Sequence, residues 1–252
     1  MAAARIPIAF DVLGTCFSFS AARDALVKVF PHLSQDHAQA VIDDWFHSSQ
    51  RDFTYLSMNS AYTPIAKVLK ANLPRNLLMA NLVPSSAAEP GASSFDWSSV
   101  VDPITSTIPS MAPRPGLAEA TELLLSSNFR LLAATNGGLD TTKGLYEKAL
   151  GKETAQKWEY FSCDEDKAAK PAPTVYRDVW KRFGIEEDAK DKLGWFVASH
   201  TWDLFAARKA GFKTAFVTYE EHLVLEDIWG KPDVVAKDLE DAARQIIAKE
   251  GR

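Results

Sequence analysis

Cysteine is scarce in this chain: 252 residues hold two, Cys16 and Cys163. Two thiols cannot make a disulfide framework or a cysteine-based zinc site, and they make a reducing compartment the default. Long apolar runs are missing as well. No segment reaches membrane-spanning length, and the apolar part of M-A-A-A-R-I-P-I-A-F is too short for a signal peptide. There is no long basic run and the net charge is −5, so the electrostatic footprint of a nucleic-acid or anionic-membrane binder is lacking. No internal repeat is visible. The expectation left by these absences is a cytoplasmic protein whose partner is a small molecule.

What is present suits a folded, soluble enzyme. Apolar residues make up 46% and charged residues 24%, which excludes wholesale disorder, and the length allows one large domain or a core carrying an insert. The most informative stretch runs from Ile6 to Ser18, I-P-I-A-F-D-V-L-G-T-C-F-S. Ile6, Ile8, Ala9 and Phe10 read as a buried parallel strand. Asp11 then stands at its carboxyl end, where open α/β sheets place their ligands, and Gly14 and Thr15 turn the chain at once. By itself Asp11 fits a turn-capping role equally well.

After Ser18 the pattern becomes helical. Ala21–Phe30 and Gln35–Met58 are rich in helix formers, with Val41, Trp45 and Leu56 expected in one buried stripe. Pro64–Asn72 and Arg75–Leu82 read as two further helices, and Pro84–Ser99 has loop chemistry. From Pro115 the chain alternates. Strands are expected at Phe129–Ala134, Trp158–Ser162, Gly194–Ala198 and Thr214–Val217, with helices at Pro115–Ser126, Asp140–Leu150, Pro173–Phe183 and Trp202–Ala210. Counting the first strand, this is an α/β protein with a Rossmann-like parallel five-stranded core. An all-helical domain over 20–99 interrupts it, leaving 1–19 and 100–252 as the core.

The strand ends are where polar groups gather. Asp11 and Thr15 follow the first strand, Thr135 and Asn136 the second; Lys170 follows the third, and Ser199, His200 and Asp203 the fourth. In a parallel sheet these ends share one edge, so an acid, a cation and a second acid from distant positions can converge.

On these residues the sequence resembles the haloacid dehalogenase superfamily, and within it the L-2-haloacid dehalogenase (type II) branch. The motifs are A-F-D-V-L-G-T (Ala9–Thr15), A-A-T-N-G-G (Ala133–Gly138), K-P-A-P-T-V-Y (Lys170–Tyr176) and F-V-A-S-H-T-W-D (Phe196–Asp203). The resemblance implies a core with an inserted helical cap and a hydrolase acting on carbon–halide bonds without a cofactor. In it Asp11 is the nucleophile that forms an aspartyl ester, and Asp203 is the base for the hydrolytic water. Lys170 keeps Asp11 ionised. Thr15 and Thr135 orient the nucleophile and bind the substrate carboxylate, with Asn136 beside them. Tyr176 and His200 match active-site positions, Ser199 lies in the fourth motif, and Trp202 walls the pocket. The amides of Leu13 and Gly14 are placed to hold an oxyanion. A homodimer is compatible with the resemblance.

Metal-dependent phosphatases of this superfamily resemble D-x-D at the first motif and carry a further acid at the fourth strand. Leu13 and Ala198 occupy those places here, and neither can ligate magnesium, which demands oxygen donors. The resemblance therefore implies chemistry without a metal. It breaks in the cap. The dehalogenase segment that carries a halide-binding arginine aligns with W-F-H-S-S-Q-R-D-F-T-Y-L (Trp45–Leu56), which puts His47 at that arginine. Arg51 lies one helical turn beyond, on about the same face. A buried His47 would bind halide only when protonated. Two other readings stay open: a phosphatase acting on a small phosphate ester, and a non-catalytic descendant that binds a metabolite.

Overall fold

Six strands form one parallel sheet in the computed structural model of the chain, which describes residues 4–89, 95–186 and 194–252. They are β1 (Ile6–Phe10), β2 (Phe129–Thr135), β3 (Trp158–Ser162), β4 (Trp195–Ala198), β5 (Lys213–Val217) and β6 (Val234–Ala236). Their spatial order is β3-β2-β1-β4-β5-β6. β1 pairs with β2 through Phe10 and Ala133 and with β4 through Phe10 and Val197, so the strand order reverses beside β1. That reversal is the place where a crevice opens between the loops leaving the strands. The sixth strand extends the five expected from sequence. Its three residues, paired through Val217 and Ala236, are too few to show a period, so only the neighbouring strand reveals them.

The chain divides into two compact units, residues Met1–Ser18 with Pro113–Arg252 and residues Phe19–Ala112. The helical unit holds α1 (Ser20–Val29), α2 (Gln35–Met58), α3 (Ile65–Met79) and α4 (Trp97–Thr105). It reaches past residue 99 because α4 packs on α1 and α3, burying Val100, Val101 and Ile104. Part of the expected loop, residues 90–94, lies outside the described residues, as do residues 1–3 of the N-terminal segment.

Two expectations for this unit are corrected. The buried face of α2 runs through Ala38, Val41, Ile42, Trp45, Phe46, Ser49 and Phe53, whereas Leu56 is only half buried because it borders an open groove beside Thr63 and Lys67. Pro74 does not end a helix: α3 runs straight through it. A mid-helix proline costs about 3 kcal/mol, but Ile65, Val68, Leu69, Leu73 and Leu77 form one buried face across it. Polar bonds to α2 reinforce that face. Trp45 Nε1 donates to the Leu69 carbonyl (2.9 Å), and Asn72 Nδ2 donates to Ser48 and Ser49 Oγ (3.2 Å each).

The core unit carries α5 (Leu117–Ser126), α6 (Leu139–Leu150), α7 (Lys152–Ala155), α8 (Cys163–Asp166), α9 (Pro173–Arg182), α10 (Thr201–Lys209), α11 (Glu226–Trp229) and α12 (Leu239–Lys249). Ile8, Ala9 and Phe10 of β1 are sealed from solvent, as a central parallel strand requires. One side is packed by aromatics. Trp180 stacks on Phe212 with centroids 3.8 Å apart and donates to the Ala210 carbonyl (2.8 Å). No described helix is long and apolar enough to cross a membrane.

Gly194, at the entrance to β4, marks a close approach. A methyl group there would stand 2.6 Å from the Trp180 ring and 3.2 Å from the Pro7 carbonyl oxygen. Overpacking of this kind typically costs about 1–3 kcal/mol. Gly194→Ala is therefore expected to lower unfolding free energy by that amount in urea denaturation, and an unchanged midpoint would show that Trp180 yields freely.

Candidate active site

The first strand delivers Asp11 to the reversal point, where its amide donates to the Val197 carbonyl of β4 (2.9 Å). A tight turn follows. Gly14 takes φ +85°, which side-chain-bearing residues avoid, and its amide donates to the Phe17 carbonyl (2.8 Å). The turn returns Thr15 beneath Asp11. Its hydroxyl donates to Asp11 Oδ2 (2.7 Å) and accepts from the Ser199 amide (2.9 Å), so one buried hydroxyl ties the loops after β1 and β4 together. The bonded Gly14 amide corrects the expected oxyanion pair, leaving that of Leu13.

The loop after β2 shapes the other side. Thr135 Oγ1 accepts from the Gly137 amide (2.8 Å), and Asn136 Oδ1 accepts from the Lys170 amide (3.1 Å). Ser162 Oγ donates to the Gly137 carbonyl (2.7 Å), which joins β3 to the same turn. Lys170 is thus fixed through its own backbone.

Its side chain is fully buried, and Nζ lies 2.8 Å from Asp11 Oδ1 and 3.0 Å from Asp203 Oδ2. The ammonium also stands over the Phe196 ring, 5.1 Å from its centroid. Tyr176 donates to the second oxygen of Asp203 (2.5 Å). A continuous polar chain therefore runs Tyr176, Asp203, Lys170, Asp11, Thr15, Ser199. It draws on β1, β4 and the starts of α9 and α10.

Environment splits the two acids. Burial alone would raise Asp11, but the Lys170 charge and the neighbouring His200 outweigh it and hold the carboxyl well below the usual carboxylate range. Burial also raises Asp203, and here the Asp11 charge adds to it, so Lys170 and Tyr176 do not cancel the rise. Lys170 is penalised by burial, yet two carboxylates raise it above an ordinary lysine. Burial next to Asp203 keeps Tyr176 protonated and donating. The thiols are inert: burial pushes Cys16 and Cys163 up to about 12 each.

His200 is fully buried with Nδ1 3.7 Å from Asp11 Oδ2, and its ring lies against Trp202 at 5.5 Å. Trp202 also lines a cavity between α9 and α10. Ser199 is sealed, and its Oγ has no hydrogen-bond partner among the described residues. Leu13 and Ala198 are both buried and offer only carbon side chains, so neither can donate oxygen to a magnesium ion. His47 and Arg51 belong to α2. His47 is exposed rather than buried, and its ring lies 5.9 Å from that of Phe46; Arg51 is exposed beside Asp52 at 3.3 Å.

Two contributors escaped the sequence reading. Phe196, beneath the Lys170 ammonium, is quoted within the fourth motif but reads there as core. Glu221 accepts from both the amide and hydroxyl of Thr201 (2.8 and 2.6 Å), anchoring the start of α10 that carries Asp203. Its only signal is an acid shortly after the fifth strand, where acids are common on any surface.

The sheet order, the strand-end polar cluster and the helices inserted after the first strand define a haloacid dehalogenase fold. Among solved structures, the L-2-haloacid dehalogenase from Xanthobacter autotrophicus is similar with a TM-score of 0.74 at 19% identity, over 95% of this chain and 97% of its own. The same enzyme with chloropropionic acid covalently bound matches at a TM-score of 0.72 and 18% identity, over 95% and 97%. A HAD-hydrolase, YfnB, from Bacillus subtilis bound to magnesium matches at 0.66 and 14%, over 98% and 100%. These likenesses establish the fold. No protein-family model matches the sequence, and no protein of curated function matches it significantly.

Removing one partner from a buried ion cluster leaves uncompensated charge and typically costs about 3–5 kcal/mol. Lys170→Met is expected to lose that much. The deficit carries a pH signature, because without the cation the folded state raises the carboxyl pKa values above those of the unfolded chain. Such groups lose stability as pH rises, so the deficit should be larger at pH 7 than at pH 4 in urea denaturation. A deficit independent of pH would mean that Lys170 contributes packing alone.

Proposed function

We propose that the protein is a metal-independent hydrolase working through an ester on Asp11, and that it displaces halide hydrolytically from small L-2-haloacids to give 2-hydroxy acids. One observation carries the reading: Asp11 is held ionised by Lys170 at 2.8 Å, with Leu13 where a phosphatase would keep its proton-donating acid. A halide leaves without a proton, whereas a phosphate ester's alkoxide needs one.

In this mechanism an Asp11 carboxylate oxygen attacks C2 of the substrate. The carbon–oxygen bond forms as the carbon–halogen bond breaks, its electron pair departs with halide, and the centre inverts. Water then adds to the Asp11 carbonyl carbon. Asp203 takes the proton, a role suited to its raised pKa and to the lone pairs left free by Tyr176 and Lys170. The Leu13 amide steadies the developing oxyanion. Collapse returns the Asp11 carboxylate with one oxygen from water, and the alkoxide leaves protonated as the hydroxyl of the 2-hydroxy acid.

Thr15 aims the nucleophile, while Asn136 holds the Lys170 backbone. We assign the substrate carboxylate to the Ser199 hydroxyl and the neighbourhood of Thr135. His200 stands beside the nucleophile and Trp202 supports its ring. We assign substrate selection to the helical unit, with His47 and Arg51 as its candidate halide-binding groups.

A single turnover in oxygen-18 water should place label in Asp11, and halide release from 2-chloropropionate should be unchanged by chelator and abolished in Asp11→Asn. An unlabelled Asp11, or magnesium-dependent phosphate release from an aryl phosphate, would refute the reading. The pH profile follows from the split between the acids. Asp11 stays ionised deep into acid, so the rate should fall with Asp203 protonation, at a higher pH than an unperturbed aspartate would give.

A further inference from the structure

A cavity of about 410 Å³ opens in the core unit between α9, α10 and α11, away from the polar chain that joins Asp11 to Asp203. Pro171, Arg177, Trp202, Phe205, Lys209 and Trp229 shape it. We propose that it is a second binding site, for a small aromatic carboxylate: a planar apolar body carrying one negative charge.

Three features point to that chemistry. The walls are aromatic, with Phe205 and Trp229 meeting edge to face at 5.6 Å and 67°, a corner that accepts a flat ring. The charge at the cavity is of one sign among the described residues: Arg177 and Lys209 line it and none of its other described lining residues is acidic, in a chain whose net charge is −5. Lys209 also makes no ion pair among the described residues; its ammonium stands over the Phe205 ring at 5.4 Å. A carboxylate complements two cations of like sign, because hydrogen bonds from a charged donor to an ionised oxygen are stronger than neutral ones. The volume lies within the range of small-molecule sites and suits a bicyclic acid better than an extended polymer.

The position gives the site a readout that does not depend on turnover. Pro171 directly follows Lys170, Arg177 follows Tyr176, and Trp202 precedes Asp203. Each of these wall residues is thus the chain neighbour of a member of the buried polar chain. A ligand held there would stiffen residues 170–177 and 201–209, and amide hydrogen exchange in those segments would slow.

The test uses 2-naphthoate on the full chain, with 2-naphthalenemethanol as its neutral counterpart. Calorimetry and tryptophan fluorescence should show saturable single-site binding of the acid, with the alcohol at least about tenfold weaker. Lys209→Glu should weaken the acid by about tenfold or more, and Ala206→Trp, which fills the cavity, should abolish binding; urea denaturation checks that both variants fold. Protection should map to residues 170–177 and 201–209. The proposal is overturned if the acid does not saturate, if both folded variants bind it as the wild type does, or if protection falls elsewhere. Self-association that Lys209→Glu abolishes would assign the cavity to an interface between copies and overturn it equally. None of these readouts uses halide release, so their outcome is separate from that of the proposed reaction.

Discussion

Lys170 holds two carboxylates from different elements in a place closed to solvent, and most of the core's local design follows from that one contact. Moving three charged groups out of water is costly, and their attraction offsets the cost only if the geometry is accurate and the remaining valences are bonded. The structure meets both conditions. Asn136 fixes the lysine backbone, Thr15 occupies one Asp11 oxygen, and Tyr176 occupies one Asp203 oxygen. The strand reversal beside β1 is what lets carboxylates from the loop after β1 and the start of α10 meet within 3.0 Å of one ammonium.

The same contact divides labour between chemically equal side chains. Asp11 is turned toward the ionised form and Asp203 toward the protonated one, because both are buried against the same cation but Asp11 also faces His200 while Asp203 faces the Asp11 charge. Pairs of carboxyls pushed apart in this way are how one site runs nucleophilic and basic steps at one pH. Leu13 and Ala198, both buried beside this cluster's loops, add hydrocarbon and no oxygen donor. The fold alone does not fix the chemistry, since a structure of the same fold is a HAD-hydrolase bound to magnesium.

Legibility in the sequence tracked locality. Strands in the core are short and mostly apolar, bounded by turn residues, so β1 through β5 could be read to within a residue or two, while β6 could not, because three residues hold no period. Pro74 misled for a related reason. Proline is read locally as a break, but the buried face of α3 spans it and packing outweighs the local cost. Asp11, Lys170 and Asp203 were visible as polar groups ending apolar strands or opening helices. Phe196 and Glu221 were not, since an aromatic in a strand and an acid in a loop look the same whether or not they support a charge.

The sequence by itself determined the alternation of apolar strands and helices, the helical block after the first strand, and which acids and cation stand at the strand ends. Those are properties of short windows, set by burial and turn chemistry. Only the tertiary structure decided that Lys170 lies between both acids, that the Gly14 amide is spent on its own turn, and that Trp202 faces a cationic cavity. Each depends on distances between residues far apart in the chain, and such distances are fixed by packing of the whole sheet rather than by any stretch of it.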